Sequence, residues 1–423
     1  MNTEPIDTDI CILGGGLVGA ALAAAIIRNT KYKCTLVEAQ TKKQFIQAES
    51  SHQSTTDQRS LVLTYKTIAL LKKWHIIPAI EDSYIQTIKQ LDLVHRQAET
   101  INTESSNYLS LNHQDINLPY LVPYLGGVIP AAQLISQLHK QCNQSTNCNC
   151  FYQNHAQTIR IDHKQGLPII TLNSQDKLRA KLLVIAEGKA APTAKQLNIT
   201  YKTQSYAQQV CVFNLKMQDD LPAGTNPHKA WWYKIPQGSL ALVPRHNRHD
   251  RKLEYGTILT LKQQHAEQWL AKTETQQLES LLQYLPESLK LIHKSPTAVY
   301  PLSMTIAQEL ARPHILLMGN SAASLPPLGA QSLNLSFRLA ERLMQALNQN
   351  SLPLNWNCLY NLSLQMQKDI QFISQTIDYS LSYLDYLDNP NTQLINRFTG
   401  LGLKLLNKAM PIKRVLLERA LGL

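Results

Sequence analysis

Three glycines, Gly14, Gly16 and Gly19, stand in the spacing Gly-x-Gly-x-x-Gly. An apolar run from Asp9 to Leu13 precedes them, and an Ala/Ile-rich run from Leu17 to Arg28 follows. Strand, glycine turn and helix in that order can bind a pyrophosphate. The first glycine permits the tight turn, the second lets backbone approach the phosphates, and the third lets helix and strand pack closely. The helix N-terminus then meets the phosphate charge with unpaired N–H groups. A second strand, Lys33 to Val37, ends at Glu38, about 20 residues further on, where a carboxylate binds a ribose hydroxyl pair. The reading is a βαβ unit for a dinucleotide; the alternative is a glycine turn that only packs a helix.

The first motif serves NAD and FAD alike. A second segment, Gly319 to Leu335 (GNSAASLPPLGAQSLNL), follows the apolar strand Ile315 to Met318 and leads into a helix over Leu333 to Leu347. Two loops aimed at one site suit FAD, whose ribityl chain and ring extend beyond the pyrophosphate; a Pro-rich turn before an ordinary helix is the plainer reading. Other chemistry finds less support. None of the 13 His sits in a His-Glu-x-x-His pair, and no Ser-His-Asp or Cys-His arrangement has recognisable spacing. Cys142, Cys148 and Cys150 lack a Cys-x-x-Cys pair, so they read as part of a solvated Asn/Gln-rich loop and no metal site is expected.

The elements that must position these loops lie along 423 residues, 44% hydrophobic and 17% charged, enough for a large core shared by two or three domains. Forty-one Lys and Arg against 30 Asp and Glu give a charge of +11, which suits an anionic partner. No basic recognition helix or aromatic binding module supports nucleic acid. Seven scattered cysteines and the absence of a signal segment fit a reducing cytoplasm, and no window approaches the length of an apolar membrane span. Helical spacing is read over Leu61 to Trp74 and from Leu134. Strand alternation is read within Glu81 to Tyr120 and again from Tyr206 to Leu261, and His246 to Lys252 reads as a basic hairpin tip. The fold expected is α/β: a doubly wound nucleotide domain over 1–75, 121–200 and 299–350, an inserted β-sheet domain over 76–120 and 201–298, and a helical C-terminal region over 351–423.

With both loops in view, the chain resembles the single-component flavoprotein aromatic hydroxylases, the group containing para-hydroxybenzoate hydroxylase, and within it the ubiquinone-biosynthesis hydroxylases. Asp57-Gln58-Arg59 with Leu61 and Leu63, Tyr206 and Gln208, Gly238 to Pro244, and a tail with Asp378, Leu381, Arg397, Gly400-Leu401, Pro411 and Ala420-Leu421-Gly422 all resemble segments of that branch, in the same order. Gly319-Asn320 replaces the usual Gly-Asp, as in the 2-polyprenyl-6-methoxyphenol branch, and Asn can still bind a ribityl hydroxyl. Glu187-Gly188 replaces the middle Asp-Gly; its trailing Arg is absent, with Lys189 or Lys195 nearby. Ser332 and Ser336 replace small glycines, and Ala131 a frequent Arg or Asn.

The resemblance implies roles residue by residue. Gly14, Gly16, Gly19, Glu38, Arg59, Glu187, Gly319, Asn320, Gln331 and Asn334 would bind FAD, with Arg59 near the pyrophosphate and backbone from Gln331 to Asn334 at the flavin's polar edge; Pro327 would present its carbonyl to the phenol. A surface Arg59 and a helix-capping Asn334 are the bland alternatives. The implied reaction is ring hydroxylation of a polyprenylated phenol, with NAD(P)H and O2, through a flavin C4a-hydroperoxide. The open alternatives are another ring position, another aromatic, or a non-catalytic scaffold in a quinone-biosynthesis assembly. The tail carries Arg397, Lys404, Lys408, Lys413, Arg414 and Arg419 among apolar residues, with Pro411 as a break. It reads as a segment lying on an anionic inner-membrane surface, as a packing helix, or as a dock for other ubiquinone-biosynthesis proteins.

Overall fold

The computed structural model describes residues 4–46, 59–77, 85–95, 107–116, 122–189, 191–217, 226–236, 238–246, 253–285, 289–387, 406 and 409–421. The strand Ile6–Leu13 is central to the first sheet. Cys34–Glu38 and then Cys148–Tyr152 lie on one side of it, Lys177–Ile185 and then Ile315–Leu317 on the other. These neighbours run parallel. Strand order thus reverses beside Ile6–Leu13, and in open sheets a ligand crevice forms where it does, beyond the carboxyl ends. Leu13 is level with Val37 and Ile185, and Ile185 with Leu317, so the loops after all four strands emerge together. Residues Ile10 to Leu13 are at most 1% exposed, which explains their unbroken apolar run.

The helix Leu17–Asn29 has no exposed residue from Ala20 to Ile26. It packs against the helices Ala131–Gln144 and Gln331–Gln349, and its alanines let both approach closely. The strand Lys177–Ile185 extends the sheet through an antiparallel meander with Pro168–Leu172 and Ala156–Ile161.

The second sheet joins both blocks of alternating sequence, as expected. Its order runs through Ala298–Ala307, Tyr201–Met217, Leu253–Lys262, Gly238–His246, Lys229–Ile235, Gln90–His95 and Asn107–Asn112. Lys229–Ile235 and Gln90–His95 pair in parallel across the intervening chain. A boundary at 298/299 falls at the start of Ala298–Ala307, so this sheet continues past it and returns through Ala323–Ser324. A third, small sheet joins Ser60–Thr64, Gly126–Pro130 and Gln86–Ile88.

The helix Gln331–Gln349 is braced by the long helix Trp356–Leu387, where Arg342 holds Asp369 at 2.5 and 3.0 Å and donates to Gln365 at 3.2 Å. Asp378 on that long helix accepts from Gln204 at 2.7 Å and Tyr206 at 3.0 Å. Two segments cited for the family likeness, Tyr206 and Asp378, therefore meet in space.

Three expectations change. The run Leu61 to Trp74 is not one helix: Ser60–Thr64 is a strand with Leu61 and Leu63 inward, and the helix is Tyr65–Lys73, begun by the Thr64 hydroxyl accepting from the Thr67 N–H. The period-two burial of Leu61 and Leu63 outweighs helical spacing there. Cys142, Cys148 and Cys150 do not share a solvated loop. Cys142 is buried on Ala131–Gln144, while Cys148 and Cys150 lie on a strand, their sulfurs 3.8 Å apart.

In the tail, the described helix Met410–Leu421 is packed. Leu417 and Leu421 join a cluster with Leu109, Leu111 and Leu125. Lys413 pairs with Asp115 at 2.6 Å, both side chains mostly buried, and is not a headgroup cation. Ile412 and Val415 face outward. Arg397, Lys404, Lys408, Gly400, Leu401 and Gly422 lie outside the described residues, as do Asp57, Gln58 and the tip after His246. No helix among the described residues is long and apolar enough to cross a membrane.

Because the Ala20–Ala25 stretch is packed on every side, Ala23→Leu is expected to cost about 1–3 kcal/mol by overpacking. Urea unfolding of the cofactor-free proteins measures it; an unchanged midpoint would mean the helix has room.

Candidate active site

The glycine turn sits at the carboxyl edge of the first sheet. Gly14 has φ +101°, and a Cβ on it would run into the Ala186 carbonyl. A Cβ on Gly19 would run into the Gly14 carbonyl. Both glycines are therefore required by the protein's own backbone. Gly16 differs: it is exposed, and a Cβ there meets nothing within 4 Å. Open space at that glycine, at the N-terminus of Leu17–Asn29, is where a phosphate group fits without any change in the chain.

Glu38 is buried, with one carboxylate oxygen accepting from the Gly15 N–H at 2.6 Å and the other from the Gln40 N–H at 2.7 Å. It holds the turn. A carboxylate has about four acceptor sites, so capacity for ribose hydroxyls remains.

A buried histidine that was not among the expected site residues joins the turn. His139, fully buried on Ala131–Gln144, places Nε2 2.8 Å from the Gly15 carbonyl and Nδ1 2.8 Å from the Tyr152 hydroxyl. A carbonyl only accepts, so Nε2 carries the proton and Nδ1 accepts from Tyr152. Asn143 donates to the same hydroxyl at 2.6 Å, and Phe45 stacks on the imidazole with centroids 4.0 Å apart. Burial pushes the His139 pKa below its ordinary 6.5, against the opposing pull of the Gly15 carbonyl and Glu38. Gly15 is thus gripped at its N–H by Glu38 and at its carbonyl by His139. Nothing in the local sequence marks residue 139 for this.

The second loop arrives beside the first. Gly319 has φ +60° and packs against Val18, at the start of the nucleotide helix. That contact sets Asn320, exposed in the turn Gly319–Ser321, at the same edge. Ser321 donates to the Gly188 carbonyl at 3.1 Å.

Glu187 adjoins Gly14, yet its carboxylate accepts from the Thr193 N–H at 3.0 Å and hydroxyl at 2.7 Å, capping the helix Pro192–Gln196. Burial raises its pKa and Thr193 opposes that. Lys189 donates to Ser303 at 2.8 Å. Arg59 is exposed, and its carbonyl accepts from the Ala131 N–H at 3.0 Å.

Asn334 is 4% exposed. Its side chain accepts from the Thr64 N–H at 2.9 Å and donates to Val62 at 3.0 Å and Ala330 at 2.7 Å. It stitches the second loop to the small sheet, and Gln331 donates within the loop to Gly329 at 3.3 Å. The first N–H groups of Gln331–Gln349 have no acceptor within the helix, so the backbone, rather than the Asn334 side chain, is available to a ligand.

A cleft open to solvent lies between the second sheet, the Pro326–Gly329 loop and the long helix. Gln208, Trp232, Lys234 and Ile258 line the sheet side, Pro327 the loop side, and Leu381 and Leu384 the helix side. The structure brings Pro327 to this cleft and the glycine turn, Glu38 and Asn320 to the neighbouring sheet edge.

A dinucleotide edge formed by two separate glycine loops, opening toward a cleft under an inserted sheet, defines a flavoprotein of the aromatic-hydroxylase type. The chain belongs to the family described as "FAD binding domain", whose pattern matches residues 7–350. It is similar to 3-demethoxyubiquinol 3-hydroxylase of Escherichia coli (strain K12), with 23% identity over 100% of both chains. It is also similar to the mitochondrial ubiquinone biosynthesis monooxygenase COQ6 of Drosophila melanogaster, with 23% identity over 82% of this chain and 75% of that one. In fold it resembles p-nitrophenol 4-monooxygenase of Pseudomonas putida, with TM-score 0.74, 15% identity and 99% of each chain covered. The probable FAD-dependent monooxygenase pqsL of Pseudomonas aeruginosa gives TM-score 0.69 and 15% identity, over 94% of this chain and 99% of that one. The protein is a FAD-dependent aromatic hydroxylase, and the open space at Gly16 fits its cofactor.

Two predictions follow the geometry. Gly16→Val is expected to fold with an unchanged thermal midpoint but to lose FAD, because its side chain enters only the phosphate space. Gly14→Val is expected to lose the fold as well, because its side chain meets Ala186. Flavin absorbance after gel filtration and a thermal melt separate the two; full flavin in Gly16→Val would place the cofactor elsewhere.

Burial holds the His139 pKa in the folded chain below the ordinary 6.5 of the unfolded one. Its contribution is present above that pH and is lost as pH falls below it, because the unfolded state takes up the proton first. His139→Gln keeps an N–H donor without titrating. Between about pH 7.5 and 5.5 the wild-type thermal midpoint should therefore fall more steeply than that of His139→Gln; parallel curves would refute the assignment.

Proposed function

We propose that this enzyme hydroxylates the ring of a polyprenylated phenol in ubiquinone biosynthesis, 2-polyprenyl-6-methoxyphenol being the favoured substrate. The observation that carries the reading is the cleft, whose apolar walls of Trp232, Ile258, Leu302, Leu381 and Leu384 meet the Pro327 loop. The names of the two similar ubiquinone-pathway proteins support the substrate class. Overall, the phenol, O2, NAD(P)H and a proton give the ring-hydroxylated product, NAD(P)⁺ and water. Bound FAD, reduced by NAD(P)H, supplies the electrophilic oxygen.

The chain's residues do the rest. The glycine turn, Glu38, Arg59 and Asn320 hold the cofactor, with Glu187 anchoring the segment behind Gly14. The N–H groups opening Gln331–Gln349 would hold the polar edge of the flavin. Pro327 orients the phenol against the apolar walls of the cleft.

A prenyl tail is long and apolar, and a membrane is its natural reservoir. The outward side chains of the long helix, Phe372, Tyr379, Tyr383 and Tyr386, are exposed next to the cleft's helical wall. Aromatic rings of this kind suit a membrane interface, and peripheral contact with an inner membrane is part of the proposal. Docking onto other proteins of the pathway is the second use of that face.

Deleting the gene should cause accumulation of a prenylated precursor lacking one ring hydroxyl, and the purified enzyme should convert it with one atom from labelled O2. NAD(P)H consumption that yields only peroxide with every prenylated phenol would remove the reading.

A further inference from the structure

Four free thiols gather at the outermost strand on one side of the first sheet. On that strand, Cys148–Tyr152, Cys148 lies opposite Cys34 and Cys150 opposite Leu36. The Cys148 and Cys150 sulfurs are 3.8 Å apart, and the Cys142 and Cys34 thiols interact with the same Cys148 sulfur. Cys34 and Cys142 are at most 1% exposed, whereas Cys148 is 8% exposed and Cys150 half-buried. Cys148 and Cys150 are therefore the two that a small solute reaches from solvent. Hydrogen bonds from the Cys142, Cys150 and Cys34 thiols hold the Cys148 thiol below its ordinary range, against the effect of burial. The thiolate is the nucleophilic form.

The same strand braces the nucleotide turn. Side chains alternate along a strand, so Cys148, Cys150 and Tyr152 share one face, with Tyr152 opposite Glu38. Cys150 lies beside Tyr152, near enough for thiol and hydroxyl to interact. The Tyr152 hydroxyl donates to His139 at 2.8 Å, and His139 donates to the Gly15 carbonyl at 2.8 Å. Just past the strand, the Gln153 and Asn154 N–H groups donate to the Gln40 and Glu38 carbonyls at 3.1 and 3.0 Å. A bend at 148–150 therefore acts on both residues that grip Gly15.

We propose that Cys148 and Cys150 are a pair oxidised by hydrogen peroxide, whose disulfide loosens the glycine turn and weakens its hold on FAD. The Cys148 thiolate attacks peroxide: an S–O bond forms, the O–O bond breaks, and the departing hydroxide takes up a proton to become water. The Cys150 sulfur then attacks the sulfenic sulfur of Cys148. The S–S bond forms, the S–O bond breaks, and the hydroxide leaves as water with the Cys150 proton. Two thiols are oxidised and one peroxide is reduced to two waters. Closing the bridge takes the sulfurs from 3.8 Å to about 2.05 Å. Strand residues two apart have Cα atoms about 6.6 Å apart, at the upper end of the roughly 4.4–6.8 Å that a disulfide spans. The strand must bend to make it, and a strained disulfide is readily reduced again.

FAD-loaded enzyme is treated with hydrogen peroxide, quenched with catalase, and then alkylated in denaturant for peptide mapping. A Cys148–Cys150 bridge should appear and vanish with dithiothreitol. FAD release on dilution, read as recovery of flavin fluorescence, should become about three- to ten-fold faster, as expected when one hydrogen bond of the grip is lost, and should return to its first rate with dithiothreitol. Cys150→Ser should release FAD at the untreated rate before and after peroxide; Cys150→Ala serves if the serine variant does not fold. Cys358→Ser, which removes a half-buried thiol elsewhere, should respond as wild type. Full alkylation of both cysteines after peroxide, or a bridge to Cys34 or Cys142 instead, overturns the pair. A Cys148–Cys150 bridge with unchanged FAD release, or faster release that persists in the Cys150 variants, overturns the link to the turn and the proposal with it.

Discussion

The closeness of two glycines governs the nucleotide edge. The Gly14 carbonyl lies where a side chain on residue 19 would have to be. Only with both positions bare can the helix Leu17–Asn29 start directly behind its strand. That start aims its unpaired N–H groups beyond the sheet, past the open side of Gly16. The grip on Gly15 then keeps the turn from relaxing: Glu38 takes its N–H and His139 its carbonyl. These partners come from the next strand and from the next helix packed on the first. The glycine loop is therefore held by rigid elements on both sides, which favours precise presentation of its N–H groups.

The second requirement is a cleft beside the second sheet. The first sheet supplies the edge and the second a wall, but the Pro326–Gly329 loop and the long helix make the cleft between them. Asp378 ties that helix to the second sheet through Gln204 and Tyr206. Arg342 ties it to Gln331–Gln349 through Asp369. Burial raises the Tyr206 pKa, with Asp378 adding to the effect, which keeps its hydroxyl a donor. The helical region expected only as a tail thus forms a side of the site, and Asn334 fastens the second loop beneath it.

Much of this was legible in the sequence because it depends on local pattern. Glycine spacing, the apolar strands before each loop, and Glu38 at a strand end are set by a few adjacent residues, and the structure keeps them together. The double block of alternation correctly implied one inserted sheet. Where two local patterns compete, tertiary pairing chose: Leu61 and Leu63 fit either period until pairing with Gly126–Pro130 made that segment a strand. The cysteine group looked like loop because its neighbours are polar, yet its strand is completed by Cys34–Glu38 from far upstream.

His139 shows the limit most plainly. By sequence it is one ordinary polar residue in an amphipathic element. It acquires its role from a carbonyl 124 positions away. Short-range chemistry, such as where a chain can turn and which backbone groups a turn exposes, is determined by the sequence alone. Which face of a strand lines a cleft, and which buried imidazole meets a glycine carbonyl, is decided only when distant elements pack, because hydrogen bonding and desolvation act across space rather than along the chain.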